Sequence, residues 1–160
     1  MEKDRLLALR KLKGISDYQF GPDITDILFN DLDKIKIIRS KNTGKIRYIH
    51  LKEDLLLTLK PTNGFFTLGF LAADMIIKST STPKLRAVVL NEISEFIREG
   101  RNVFCKHILD IDEYLRPNDE IIVVNQEQEI LAIGRVKIPI PYIKYFNRGV
   151  GIDVRKGNRK

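Results

Sequence analysis

The sequence predicts an α+β chain, a small α/β domain followed by a mixed β-barrel. Three observations carry this. The chain opens on a Leu-rich, basic stretch with helical spacing. Short β-rich runs separated by Gly, Pro and Asn turns fill both halves. A polar, aperiodic segment, Lys78–Lys84, lies between them as a short linker. The expected domains are 1–80 and 84–157.

In the first half, Leu6, Leu7, Leu9 and Leu12 predict a helix over Glu2–Lys13 with Gly14 as its stop. Asp17-Tyr18-Gln19-Phe20-Gly21-Pro22 reads as a structured connection, and Asp23–Phe29 as a second short helix. Four strands follow: Ile35–Arg39, Ile46–Leu51, Leu55–Leu59 and Phe65–Leu68. The turns Asn42-Thr43-Gly44 and Pro61-Thr62-Asn63-Gly64 punctuate them. Leu71–Ile77 predicts a helix packed on that sheet.

The second half is organised around Glu99–Arg135. Leu85–Leu90 predicts a strand and Ile93–Arg98 a short helix that stops at Gly100. Val103–Leu109 predicts one apolar and basic strand. Arg116-Pro117-Asn118-Asp119 is a turn, because proline presets φ and Asn and Asp accept local hydrogen bonds. Glu120–Val124 and Ile130–Arg135 flank Asn125-Gln126-Glu127-Gln128 as a hairpin. Ile138-Pro139-Ile140-Pro141 breaks the ladder, since proline lacks the donor a central strand needs. Tyr142–Phe146 is one helical turn, and Val150–Val154 the closing strand. Arg155–Lys160 reads as a frayed basic tail.

The bulk numbers narrow the class. Hydrophobic residues make up 43% of 160, enough for packed cores. Apolar runs are too short and too charged to span a bilayer, and no apolar signal core follows Met1. A single cysteine excludes an internal disulfide and a multi-cysteine zinc site. Cys105 lies in an apolar run and reads as a buried thiol. These features predict a cytoplasmic protein with no membrane partner. The net charge of +7 favours phosphate-rich partners. Its distribution does not single out either half: 15 basic and 10 acidic residues in 1–84, 13 and 11 in 85–160.

An ordered set of motifs carries a resemblance. Glu99-Gly100-Arg101, Val103-Phe104 and Lys106 are followed by the Arg116-Pro117-x-Asp119 turn. Ile133-Gly134-Arg135 and Arg148-Gly149-Val150 complete the set. With them Leu85–Lys156 resembles a PUA domain. Ser16–Gly21, Thr43-Gly44-Lys45-Ile46-Arg47 and Asn63–Leu68 resemble the small domain that precedes PUA in archaeosine-type tRNA-guanine transglycosylases and archaeosine synthase. Those enzymes carry a separate catalytic barrel with an aspartate nucleophile and a cysteine-rich zinc site. This chain has neither the length nor the cysteines. The resemblance therefore implies a pre-PUA-like domain and a PUA-type barrel that bind RNA without catalysis. The implied ligand is tRNA near its acceptor end, and the implied partner is a tRNA-modifying enzyme acting in trans.

In PUA domains the turn after the helix, the strand after it and the last strand form the RNA-facing groove. Carried over, the candidates are Gly100, Arg101, Asn102 and Lys106, then Arg148, Gly149 and Arg155. Gly100 serves equally as an ordinary helix stop. Phe104 reads as core, and Tyr142 and Tyr145 are open between core and stacking. Lys41, Lys45 and Arg47 on the first hairpin read as a solvated surface. His50 and His107 lack a visible catalytic partner. Asp110, Asp112 and Glu113 lack the spacing and glycine turn of a cation loop. No catalytic residue, metal or cofactor is expected. Two other classes compete: a module that binds only protein, and a small enzyme of another type.

Overall fold

The computed structural model describes residues 2–159. The chain divides into two compact units, Met1–Ser79 and Thr80–Lys160.

The first unit begins with α1 (Glu2–Phe20), which buries Ala8, Leu9, Leu12, Ser16 and Phe20. Those residues form one ridge at helical spacing. Gly14 does not end the helix. A Cβ there would meet nothing, so the glycine sits on the open side. Its cost of about 1 kcal/mol against alanine is offset by packing on the other face. The stop comes at Gly21, with φ +98, whose N–H donates to the carbonyls of Ser16 and Asp17. Pro22 then opens α2 (Pro22–Leu28). The expected connection Asp17–Pro22 is thus the last turn of α1 and its stop. Leu6 and Leu7, expected in the apolar stripe, are exposed.

Four antiparallel strands follow in meander order: β1 (Ile35–Arg39), β2 (Ile46–Leu51), β3 (Asp54–Leu59) and β4 (Phe66–Leu68). Gly44 and Gly64 take φ of +71 and +74 in the two turns, a conformation glycine adopts without a Cβ penalty. α3 (Phe70–Ser79) packs on β3 and α2. The Gln19 side chain closes the sheet edge. Its Nε2 donates to the Phe66 carbonyl, and its Oε1 accepts from the Phe66 N–H, both at 2.8 Å.

The second unit holds β5 (Arg86–Val89), α4 (Ser94–Arg98), β6 (Val103–Phe104), β7 (Ile108–Ile111) and β8 (Glu120–Val124). β9 (Ile130–Val136), α5 (Ile140–Tyr145) and β10 (Val150–Gly157) complete it. The strands form one sheet in the order β6-β10-β9-β8-β5-β7, with β5 and β8 parallel and the other pairs antiparallel. Val103–Leu109, expected as one strand, is broken. β6 and β7 are the two edges of the sheet, joined by a 3-10 turn over Cys105–His107. The sheet therefore curls into a nearly closed barrel. Ala87, Val89, Ile97, Val103, Ile121, Val123, Leu131 and Ile152 lie in its core. The tail is not frayed at Arg155, because β10 runs on to Gly157, which pairs with Ala132. Lys160 lies outside the described residues. Asn125 organises the β8–β9 turn: its Oδ1 accepts from the N–H groups of Glu127 and Glu129, each at 3.0 Å.

Arg86 is the largest fully buried side chain, only 2% exposed. It is held by neutral acceptors. Nε donates to the Lys84 carbonyl at 3.0 Å and Nη1 to Gln128 Oε1 at 2.9 Å. Nη2 donates to the carbonyl and the hydroxyl of Thr80. Burial pushes its pKa down, but an arginine remains charged at neutral pH. The polar segment Thr80–Lys84 is thereby fastened onto the second unit. Arg86→Ala would orphan these acceptors and open a cavity. We expect it to lower unfolding free energy by about 2–4 kcal/mol in urea titrations. It should also make Lys84 a fast tryptic site; cleavage there at the wild-type rate would contradict the fastening.

Candidate nucleic-acid interface

The predicted site residues fall at two places along β10. The first is the end of α4. Gly100, at φ +102, donates to the Ile97 carbonyl at 2.9 Å, and Arg101 N–H donates to the Phe96 carbonyl at 3.1 Å. This is the Schellman pattern, in which a left-handed residue satisfies the last carbonyls of the helix. It places the Arg101 guanidinium over the Phe96 ring, 5.4 Å from its centroid. Arg101 and Asn102 are exposed. Gly157 of β10 lies against this turn, and a Cβ on it would collide with the Arg98 carbonyl.

The second place is the seam where β6 turns into β7. Cys105 N–H donates to the Gly149 carbonyl at 3.0 Å. That bond sets Lys106 and Arg148, the neighbours of its two ends, on adjacent segments, and both are exposed. Gly149 takes φ +92. Gly151 packs so closely that a Cβ would lie 3.2 Å from Cys105 Sγ and 3.6 Å from Ile143 Cδ1. α5 therefore borders the same seam. The Cys105 thiol is buried, and burial pushes its pKa up. That leaves it a core group rather than a nucleophile.

Two candidates are committed to the fold. Asn102 Oδ1 accepts from Val154 N–H at 2.8 Å and so ties the helix end to β10. Arg155 Nη2 lies 2.8 Å from Glu120 Oε1, with side-chain exposures of 31% and 3%. Its charge neutralises a buried carboxylate. Arg101, Lys106 and Arg148 remain on the surface without an ion pair among the described residues.

The structure also corrects one aromatic. Phe104, expected in the core, is 46% exposed. It stands edge-on to His107 with centroids 6.2 Å apart. Val103 and Cys105 on either side are buried. Strict strand alternation was the signal that points Phe104 outward. Tyr142 stacks on Phe146 at 5.7 Å, and both rings are about half exposed. The seam thus combines two cations with flat apolar faces, a pairing suited to phosphates and splayed bases. Asp112 is spoken for: its carboxylate accepts from the N–H groups of Leu85 and Tyr114. Glu113 pairs with Lys144 at 2.6 Å, which holds its carboxyl below the usual range. Among the described residues, no group of three or more His, Cys, Asp or Glu side chains could hold a metal.

Comparison with known proteins agrees with this architecture. The family model described as the patch-forming domain C2 of tRNA-guanine transglycosylase matches residues 10–92. A PUA domain model matches residues 86–157. The chain belongs to the C2-domain family of tRNA-guanine transglycosylase and carries a PUA domain. It is 37% identical, over 93% of its length, to the tRNA-guanine(15) transglycosylase of Methanothermobacter thermautotrophicus. It is 39% identical, over 94% of its length, to that of Methanocaldococcus jannaschii. It spans only 22% and 23% of those two relatives. A hypothetical protein of Pyrococcus horikoshii has the same fold, with a TM-score of 0.76 and 20% identity over 95% of this chain and 90% of that one. A conserved PUA domain protein of Thermoplasma acidophilum aligns at TM-score 0.57 and 14% identity over 71% and 70%.

In the PUA domain, the roles of the two arginines near β10 separate in a stability measurement. Arg155→Ala leaves Glu120 buried without its cation. We expect a loss of about 2–3 kcal/mol, below the range for fully buried pairs because Arg155 is partly solvated. Arg148→Ala should stay within about 0.5 kcal/mol of wild type. Equal effects of the two in urea titrations would contradict this division.

Proposed function

We propose that the chain binds structured RNA, tRNA near its acceptor end, through the seam of the PUA domain. The observation that carries this is the placement of Lys106 and Arg148 on the two segments joined by the Cys105–Gly149 hydrogen bond. Exposed Phe104 and the Tyr142–Phe146 pair border them. Lys106 and Arg148 contact phosphates, while the rings receive an unstacked base or the shallow minor groove. Arg101 extends the track along β10, roughly 16 Å away at the usual rise per residue. Gly100 and Gly149 keep the backbone approachable at both places, and Asn102 and Arg155 hold the track in shape.

The chain acts as the RNA-docking part for a tRNA-modifying enzyme whose catalytic part is supplied in trans. Two facts support this reading. The relatives are named tRNA-guanine(15) transglycosylases, and the match covers less than a quarter of them. Purified alone, the chain should show no exchange of guanine into tRNA. Robust exchange by the isolated chain would defeat the docking role.

The binding surface is tested by replacing Arg101 and Lys106 together with alanine. Affinity for a tRNA transcript should fall roughly tenfold, and the slope of log K against log salt should flatten by about 1 to 2. Lys34 and Lys36 are the control, since Asp31 and Glu53 already pair with them at 3.2 and 2.6 Å. If the control pair matters more than Arg101 and Lys106, the seam is the wrong surface.

A further inference from the structure

Asn63-Gly64, in the turn between β3 and β4, has no part in the proposed interface. Asn63 is the only asparagine in the chain that a glycine follows. The turn fixes both residues. Gly64 has φ +74, a conformation that favours glycine. Asn63 Oδ1 accepts from the Phe65 N–H at 3.0 Å and stands in for a backbone acceptor within the turn. Residues 61–65 are all exposed.

The same arrangement readies a reaction. The backbone nitrogen that follows an asparagine attacks its carboxamide when that nitrogen loses its proton and reaches Cγ. The ring closed by the Phe65 N–H to Oδ1 bond contains both Asn63 Cγ and the Gly64 nitrogen, so the carboxamide is folded over the peptide bond that attacks it. The Phe65 N–H points at the oxygen where negative charge develops in the tetrahedral intermediate, as an oxyanion-hole donor does. A Cβ on Gly64 would meet nothing, so the space beside its nitrogen is open. Gly64 also lines an open groove with Lys45, Arg47 and Lys60, and positive charge near an amide favours its deprotonated form. One bond opposes the attack. Gly64 N–H donates to the Lys60 carbonyl at 3.0 Å, but this bond lies in an exposed turn, where local opening is cheap.

Asn125 is the internal comparison. Its Oδ1 accepts from Glu127 and Glu129 at 3.0 Å each, so its carboxamide is polarised in the same way. It is only 4% exposed, however, and its Nδ2 donates to Glu129 Oε1 at 2.9 Å. The next residue is Gln126, whose N–H donates to Asn91 Oδ1 at 2.8 Å. Both the leaving and the attacking nitrogen are held there, out of solvent.

We infer that Asn63 is a self-modification site, converted to aspartate or isoaspartate with the chain's own backbone as nucleophile. The Gly64 nitrogen gives its proton to solvent and bonds to Asn63 Cγ. The Cγ–Nδ2 bond breaks, and Nδ2 takes a proton from solvent and leaves as ammonia. Water then opens the cyclic imide at either carbonyl. One water is consumed and one ammonia released, with no oxidation or reduction. The aspartate product can still accept from Phe65 N–H, and either product lowers the net charge of +7 by one. The isoaspartate product draws Cβ into the main chain. It lengthens the turn that Lys60 N–H closes on the Phe65 carbonyl at 2.9 Å, next to the Gln19–Phe66 clamp.

The test follows each asparagine by peptide mass spectrometry after the full chain is held at mildly alkaline pH, folded or unfolded in urea. In the folded chain Asn63 should convert at least about tenfold faster than Asn125, at a rate equal to or above that in urea. Added salt should slow the folded reaction and leave the unfolded one unchanged, because only the fold gathers Lys45, Arg47 and Lys60 around the turn. Asn63→Gln should abolish the change at position 63. Conversion of Asn63 no faster than Asn125 would overturn the site. A folded rate about tenfold below the urea rate would overturn it equally, since the turn would then protect the carboxamide instead of activating it.

Discussion

Three residues set the shape of the C-terminal unit. Cys105–His107 connect β6 to β7, yet these strands are the two edges of a six-stranded sheet. In a flat sheet the edges would stand roughly 24 Å apart. The connection reaches roughly 10–13 Å even when extended, and a 3-10 turn is shorter still. The sheet has to curl. Glycines make the curl possible. A Cβ on Gly134 would collide with the Asp153 carbonyl, and one on Gly157 with the Arg98 carbonyl. Register shifts in β10, between Val150 and Ile152 and between Val154 and Lys156, bend the strand around the closing barrel. The candidate interface is a by-product of this closure, since Lys106 sits on the turn that closes the barrel and Arg148 on the segment that pins it.

Net charge is a poor guide to which cations are available. Arg86 and Arg98 are buried, and Arg98 Nη1 donates to the carbonyls of Ile130 and Asn158 at 3.2 and 3.3 Å. Arg155 neutralises Glu120. These three spend their donors on the barrel. Guanidinium suits the task, because its planar fork satisfies several carbonyls at once. The lysines behave differently. Buried lysine is absent from the described residues, in keeping with the strong hydration of an ammonium group.

Much of the fold was legible because local signals agreed with the tertiary outcome. The four-strand meander, the helix ending at Gly100 and the β8–β9 hairpin all carried turn chemistry and strand composition pointing one way. The failures have separate causes. Gly14 looked like a stop, but a helix is extended by what its other face buries, and Leu12, Ser16 and Phe20 continued the ridge past it. Val103–Leu109 looked continuous because a 3-10 turn leaves no mark in an apolar run. Phe104 was misread because an aromatic beside Val103 and Cys105 suggests core, although alternation turns it outward. Within the candidate site, Arg101, Lys106 and Arg148 lie on the surface. The duties of Asn102 and Arg155 could not be read, because their partners, Val154 and Glu120, are chosen by the sheet register.

Lys45, Lys60, Arg101 and Arg148 share a backbone setting. Lys45 follows Gly44, Arg101 follows Gly100 and Arg148 precedes Gly149; all three glycines have positive φ. Lys60 begins the turn that contains Gly64, and its N–H donates to the Phe65 carbonyl at 2.9 Å and closes that turn. A side chain within a strand has cross-strand neighbours, and these can supply a carboxylate: Lys36 finds Glu53, and Arg155 finds Glu120. A side chain beside a tight left-handed turn has left the ladder and loses such neighbours. Its charge can then be neutralised only by solvent ions or by a ligand. The glycine turns thus shape both units and leave Lys45, Lys60, Arg101 and Arg148 beyond the strand ladders, where no cross-strand carboxylate pairs with them among the described residues.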